Sequence, residues 1–237
     1  MSTNDLLFGA LPYAAAALAV VVTIARWRLH PFSVSSLSSQ LLESRKLYWG
    51  SIPFHWGLSL ILVGHLAALI VPRGFELWNR VPVRLYLLEI TGLALALWAG
   101  FGVAVLIYRR LSDARVRRVT SPMDLVVLAL IAVQILTGIW IAIGYRWGSY
   151  WGTSVFVPYM RSLLTFRPDP GYVDPLPWVL KTHVLAFFVF LAVFPFSRLV
   201  HIITLPLQYL SRPWQKVTAD RYPPAPSYIT SDVERVR

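Results

Sequence analysis

The amino-acid sequence predicts an all-α integral membrane protein, a bundle of five transmembrane helices. Two observations of composition and one of pattern lead there. Hydrophobic residues make up 57% of the 237 and charged residues only 14%, against about 45–50% and about 25% in a soluble domain. The uncharged residues gather in five long runs with basic residues clustered between them. A bilayer core about 30 Å thick needs roughly 20 helical residues to cross, and the runs are about that long.

The first run is Leu6 to Ala25, between Asp5 and Arg26. Met1 to Asp5 lacks the basic start of a signal peptide, so this run is expected to stay in the protein. The second is Leu47 to Pro72, between Lys46 and Arg73. The third, Ile90 to Tyr108, follows Glu89 and ends at Arg109 and Arg110. The fourth, Leu125 to Tyr145, lies between Asp124 and Arg146. The fifth is uncharged only from Thr182 to Ser197. It becomes a full span, Leu176 to Leu205, if Lys181 and Arg198 snorkel from its ends.

With the N-terminus outside and the C-terminus cytoplasmic, 15 of the 22 Lys and Arg residues fall in inner segments. The positive-inside rule therefore favours that orientation. It also accounts for the net charge of +11 without a nucleic-acid groove, which would need the same residues on one folded face. No nucleic-acid partner is expected. The chain has no cysteine, which excludes disulfides, covalently attached haem and cysteine-held iron–sulfur clusters of its own. The segment from Arg146 to Pro177 reads as a long outer loop whose aromatics suit the membrane interface. Residues 1–210 form the transmembrane domain, and 211–237 a polar, proline-bearing cytoplasmic tail that docks a partner or stays disordered.

Four of the five histidines fall in two spans: His55 and His65 in the second, His183 and His201 in the fifth. Ionisable side chains inside a bilayer are costly and usually functional. The two helices run antiparallel. At 1.5 Å per residue, His65 and His183 lie about 8 and 9 Å from the outer ends of their spans, at a common depth. His55 and His201 both lie toward the inner side. The fit is imperfect, because ten residues rise about 15 Å and eighteen about 27 Å; with the mismatch shared between the two pairs, tilted rings or a kink at Pro195 could absorb the difference. Two facing imidazoles suit the axial positions of a haem iron, whereas zinc or copper would require three or four converging ligands. Gly57, Gly64, Gly92, Gly100 and Gly102 would leave room for a flat cofactor or for ordinary helix packing. Gln134 and Glu89 could each hydrogen-bond a neighbouring helix or a ligand. His30 reads as an interfacial residue.

Several segments, in order and over nearly the whole chain, resemble one family. Phe194-Pro-Phe-Ser-Arg-Leu-Val-His201 with Pro206 and Tyr209-Leu210 is the most specific. Ser38-Ser-Gln-Leu-Leu42, Arg45-Lys46, Phe54-His55, Gly64-His65, Arg109-Arg-Leu111 and Arg115-Val-Arg117 accompany it. The chain resembles the gamma, or cytochrome b, subunit of respiratory nitrate reductase. That resemblance implies two haem b groups, the outer held by His65 and His183 and the inner by His55 and His201. It implies oxidation of quinol near the outer haem, with electrons passing to an iron–sulfur beta subunit and a molybdenum-containing alpha subunit on the cytoplasmic side of the inner (cytoplasmic) membrane. Nitrate chemistry would lie outside this chain. The family pairs Gly64 and His65 with a lysine at the start of the third helix; this sequence has Arg84 there, with Tyr86 nearby. Arg84 would contact a quinone oxygen or anchor the helix at the interface. Arg198, three residues before His201, would meet a haem propionate. The same dihaem quinol module could instead serve a sulfur-compound or heterodisulfide-type reductase or run toward nitrite oxidation, and a haem-free membrane anchor is the alternative of another class.

Overall fold

A computed structural model describes residues 2–29 and 42–202, with side chains through residue 200. The tail from 211, His30 and the ring of His201 lie outside the described residues. The described part is helical, with no strand, and five of its helices are long and apolar enough to cross a membrane.

Helix α1, Leu11–Leu29, continues a π-helical turn at Asp5–Ala10. Helix α2 is Arg45–Ile70. Its first turn lacks a side-chain cap at Ser44; instead the Glu43 carboxylate accepts the N–H groups of Lys46 and Leu47, at 2.8 and 3.2 Å. Pro72 disfavours helical backbone at Val71, so α2 ends and a short helix α3, Pro72–Asn79, begins with that proline at its first position. Pro82 likewise opens α4, Pro82–Ser112. Because α4 starts eight residues before the expected run, Arg84 and Glu89 belong to its first turns. Asp113 caps the five-residue α5, Ala114–Arg118, and Ser121 with Asp124 forms a capping box for α6, Pro122–Gly144.

Two expectations are corrected. The segment after α6 is not a plain loop: Gly148–Leu164 is a helix, α7. Glu89 on α4 accepts the Ser149 N–H (2.8 Å) and hydroxyl (2.5 Å), placing a carboxylate at the positive end of α7. Trp147, before that end, adopts left-handed backbone (φ 69°) and sets its ring edge-on to Tyr86. Tyr159 of α7 is fully buried and donates to the Phe8 carbonyl. The turn-rich composition of this segment hid a helix stabilised by tertiary contacts.

The fifth span is also shorter than expected. Helix α8 is Trp178–Val193, followed by 3₁₀ turns at Phe194–Phe196 and Arg198–Ile202. Pro195 has no N–H to donate to the preceding turn, and Arg26 of α1 donates to the carbonyls of Pro195 and Ser197 that the break leaves free. His183 and His201 therefore do not share one straight helix. From His183 to Val193 the helix rises about 15 Å, the same as from His55 to His65; the mismatch falls in the broken segment.

Packing divides into two clusters. Phe54, Ala99, Val103, Val127, Ile131 and Ile135 join α2, α4 and α6, while Phe8, Ala15, Tyr159, Leu163, Val184 and Phe188 join α1, α7 and α8. Helices α2 and α4 approach almost backbone to backbone. A Cβ at Gly102 would lie 2.5 Å from the Phe54 nitrogen and 2.6 Å from the Gly50 carbonyl oxygen, and one at Gly57 2.8 Å from the Leu95 carbonyl oxygen. Without a hydrophobic drive between helices in lipid, such small-residue contacts supply the association. Gly102→Val is expected to prise α2 from α4 and leave little folded protein, read as loss of the monodisperse peak in size-exclusion chromatography in detergent. A variant that elutes and melts like the parent would refute this account of the contact.

Candidate functional site

Helices α2 and α8 carry three of the four candidate ligands, with His201 in the 3₁₀ turn that follows, yet these two helices are not among the closely packed pairs of the bundle. Helix α2 lies on α4, and α8 lies on α6 and α1.

Each described ring is oriented at Nδ1. His55 Nδ1 donates to the Ser51 carbonyl at 2.7 Å, with the Ser51 hydroxyl at 3.1 Å. His65 Nδ1 donates to the Ile61 carbonyl at 2.8 Å. Both use the carbonyl four residues earlier in their own helix. An imidazole protonated at Nδ1 keeps its Nε2 lone pair, which is the form a metal binds. Among the described residues, Nε2 of His55 and of His65 meets no hydrogen-bond partner. Both rings are exposed on the outside of the helix pair, an unfavourable place for a bare polar nitrogen in hydrocarbon.

His183 is half-buried against α6. Its Nδ1 faces the Thr137 hydroxyl oxygen at 2.9 Å, and its Nε2 faces the Gln134 amide nitrogen at 3.1 Å. Thr137 and Gln134 lie three residues apart on one face of α6, and Gly138 completes that face. A Cβ at Gly138 would come within 3.3 Å of the His183 ring. Gln134 thus bonds a neighbouring helix, as one of its two sequence readings had it, and Glu89 does the same at α7. The other Gln134 amide atom, Oε1, is buried without a hydrogen bond. The roles of Thr137 and Gly138 escaped the sequence reading; the available signal was the Gln134-Ile-Leu-Thr-Gly138 run, polar and small residues on one face of an otherwise apolar span.

The glycines divide by role. Gly57 and Gly102 form the α2–α4 contact, and Gly100 faces Ile135 and Ile139 of α6 at van der Waals distance. Those three are packing residues rather than cofactor clearance. A Cβ on Gly64 or Gly92 would meet nothing within 4 Å, so both border open space.

Near His65, Ala67, Val71, Gly74, Phe75, Trp78 and Leu88 line an apolar groove of about 310 Å³ between α2, α3 and α4. The Arg84 guanidinium lies 5.3 Å from the centre of the Trp78 ring, and the Trp78 indole N–H donates to the Arg84 carbonyl. Arg84 is thereby held at the margin of the groove. At the other end of the bundle, Arg198 forms an ion pair with Asp124 at 3.4 Å, which ties the segment after α8 to the start of α6. Arg110 reaches the same carboxylate at 3.6 Å. Arg109, almost fully buried, is bound to Glu43.

The residues fit haem on two counts. Nδ1 of each described imidazole is anchored, with Nε2 of His55 and His65 left without a hydrogen-bond partner and that of His183 facing the Gln134 amide, and among the described residues no three His, Asp or Glu side chains converge on a point. A two-ligand axial site needs that arrangement.

Comparison with known proteins agrees over nearly the full length. Residues 4–220 match the family described as nitrate reductase gamma subunit. The chain is 32% identical over 215 residues to the nitrate reductase gamma chain of Bacillus subtilis (strain 168), covering 89% of this chain and 96% of that one. It is 28% identical over 220 residues to the respiratory nitrate reductase 1 gamma chain of Escherichia coli (strain K12), covering 91% and 97%. It is also 28% identical to the nitrate reductase-like protein NarX of Mycobacterium tuberculosis, over 89% of this chain but 33% of that protein. With five spans and a family match over this length, the chain belongs to the nitrate reductase gamma-subunit family and is a multi-pass membrane subunit of that enzyme.

Proposed function

We propose that this subunit is a dihaem cytochrome b that oxidises quinol at the membrane face carrying α3 and α7 and delivers the electrons toward the opposite face. The observation that carries the reading is the anchoring of the histidines: on α2 and α8, two helices that are not closely packed on each other, the rings of His55, His65 and His183 are each held at Nδ1, which leaves Nε2 as the atom that would meet a metal. His65 with His183 would hold one haem, and His55 with His201 the other. Bound there, two haems would supply a pair of one-electron carriers.

The chain's own residues then have distinct tasks. The apolar groove beside His65 takes the quinol tail, and Arg84 at its margin donates to a quinol oxygen. Arginine does not release its proton in proteins, so Arg84 orients the substrate and is no proton acceptor. Gly64, with open space beside it, lets the head group come near His65. The excess of basic residues in the segments opposite α3 and α7 supports an orientation with those two helices outside and the C-terminus in the cytoplasm of an inner-membrane protein. On that side a haem propionate would share Arg198 with Asp124. There too an iron–sulfur beta subunit would collect the electrons for a molybdenum-containing alpha subunit, with residues 211–237 available for docking.

The test is haem quantitation on the purified full-length chain from haem-replete cells. Two b-type haems per chain, seen in reduced-minus-oxidised spectra, are expected. A colourless, folded preparation overturns the proposal. Arg84→Ala should raise the quinol KM by about tenfold while both haems remain, the loss of one charge-assisted hydrogen bond of about 1.5 kcal/mol; an unchanged KM removes Arg84 from the site.

A further inference from the structure

The seat of His183 differs from those of the other two described ligands. His55 and His65 satisfy Nδ1 within their own helix. Of the three rings described, His183 alone takes its Nδ1 partner from another helix. That partner, Thr137, is buried and has its own proton committed: its hydroxyl donates to the Val133 carbonyl at 2.6 Å, with the Gln134 carbonyl at 3.1 Å. Toward His183 the hydroxyl oxygen can therefore only accept. The ring must carry its proton on Nδ1, and its Nε2 must be a lone pair. The third contact obeys the same logic, since an amide N–H of Gln134 points at Nε2 and supplies the donor that a lone pair requires. Gly138 leaves the space in which the ring lies, because a methyl group there would press on Cε1 at 3.3 Å.

We infer that the Gln134–Thr137–Gly138 face of α6 is the positioning element for the His183 ligand, with Thr137 setting its tautomer and its donor strength. This rests on the dihaem reading above. When iron takes Nε2, the Gln134 amide must give up that contact, whereas the Thr137 contact on the far side of the ring can persist. An acceptor at Nδ1–H pushes electron density into the imidazole and favours the ferric state of the attached haem. Helix α6 would thus tune the outer haem without touching the inner one, whose described ligand has only its own helix behind it.

The experiment compares Thr137→Val, which keeps the shape and loses the acceptor, with Thr137→Ser, which keeps the hydroxyl. Both are measured in the full-length chain by haem content, low-temperature electron paramagnetic resonance and redox titration. Thr137→Val is expected to raise the potential of one haem, shifting its ferrous-to-ferric ratio at fixed potential by about threefold, or roughly 30 mV for one electron. The resonance of that haem should move while the other stays in place. Thr137→Ser should restore both. Gly138→Ala, which crowds the ring from the next position, should alter the resonance of the same haem. A purely structural role for Thr137 would change heat stability and leave the resonance and potential of a still-loaded haem as they were; that outcome overturns the inference while the dihaem reading stands. Movement of both haems together, or no change in Gly138→Ala, also overturns it. A wild-type chain with no haem would instead remove the reading on which it rests.

Discussion

His65→Ala and His183→Ala are each expected to leave one haem per chain and to reduce quinol oxidation to background, and combining them is expected to do no further harm. This follows from the proposed pairing, in which the two rings would act on a single iron. Residues that share one partner are non-additive, since the first loss removes the interaction that the second would have broken. The rings come from different helices, α2 and α8, which are not closely packed, so no backbone contact ties their behaviour together. His55→Ala should also leave one haem, but the other one, and combining it with His65→Ala should empty the chain. The measurement is haem per chain with the resonance of whichever haem remains. If His65→Ala and His183→Ala retain different haems, the pairing is wrong even if the haem count is right.

How far the site was legible in the sequence varies with the kind of signal. The five spans were legible because bilayer thickness imposes a run length that no turn chemistry can disguise. Helix α7 was not, since its stability comes from contacts made in three dimensions: Glu89 at its first turn, Tyr159 buried under Phe8. Glycines and a proline within Gly148–Leu164 argued locally for a loop, and tertiary packing outweighed them. The end of α8 was half legible. Pro195 announced a kink, but the 3₁₀ path to Ile202 depends on Arg26, 169 residues earlier than Pro195, arriving to take the loose carbonyls. The glycines were ambiguous for a sound physical reason: a missing side chain signals close approach without saying of what. Only the neighbours separate Gly102, against Phe54 and Gly50, from Gly64, against open space. Thr137 was invisible as a partner of His183 because a threonine in a transmembrane helix ordinarily bonds back to its own turn, which Thr137 also does.

Glu43→Ala is expected to be the most damaging change outside the histidines and the glycine contact. Glu43 does two things at once. Its carboxylate accepts two N–H groups at the start of α2, and it faces the Arg109 guanidinium at 2.9 Å, where that side chain is only 3% exposed. A second guanidinium nitrogen of Arg109 donates to the Glu43 carbonyl. Alanine keeps that last bond but takes the carboxylate away from a buried guanidinium, a loss of roughly 1.5–3 kcal/mol for a hydrogen bond between charged groups, and uncaps α2 ten residues before His55. At the high end of that range the melting temperature should fall by roughly 10 °C. Arg109→Leu should cost less, because the carboxylate left behind still has its two backbone donors. The pH dependence carries the same signature. Burial pushes the Glu43 carboxyl up, but the Lys46 N–H, the Arg109 guanidinium and the Leu47 N–H together hold it below the usual carboxylate value. The unfolded chain then takes up the proton first as pH falls. The stabilisation is complete above the ordinary carboxylate range and is lost as pH drops through it toward the lowered value. Melting temperatures of the parent and Glu43→Ala should therefore converge in acid and diverge near neutrality. A gap that stays constant across that range would mean that the charge on Glu43 contributes nothing, and that the residue acts through its shape alone.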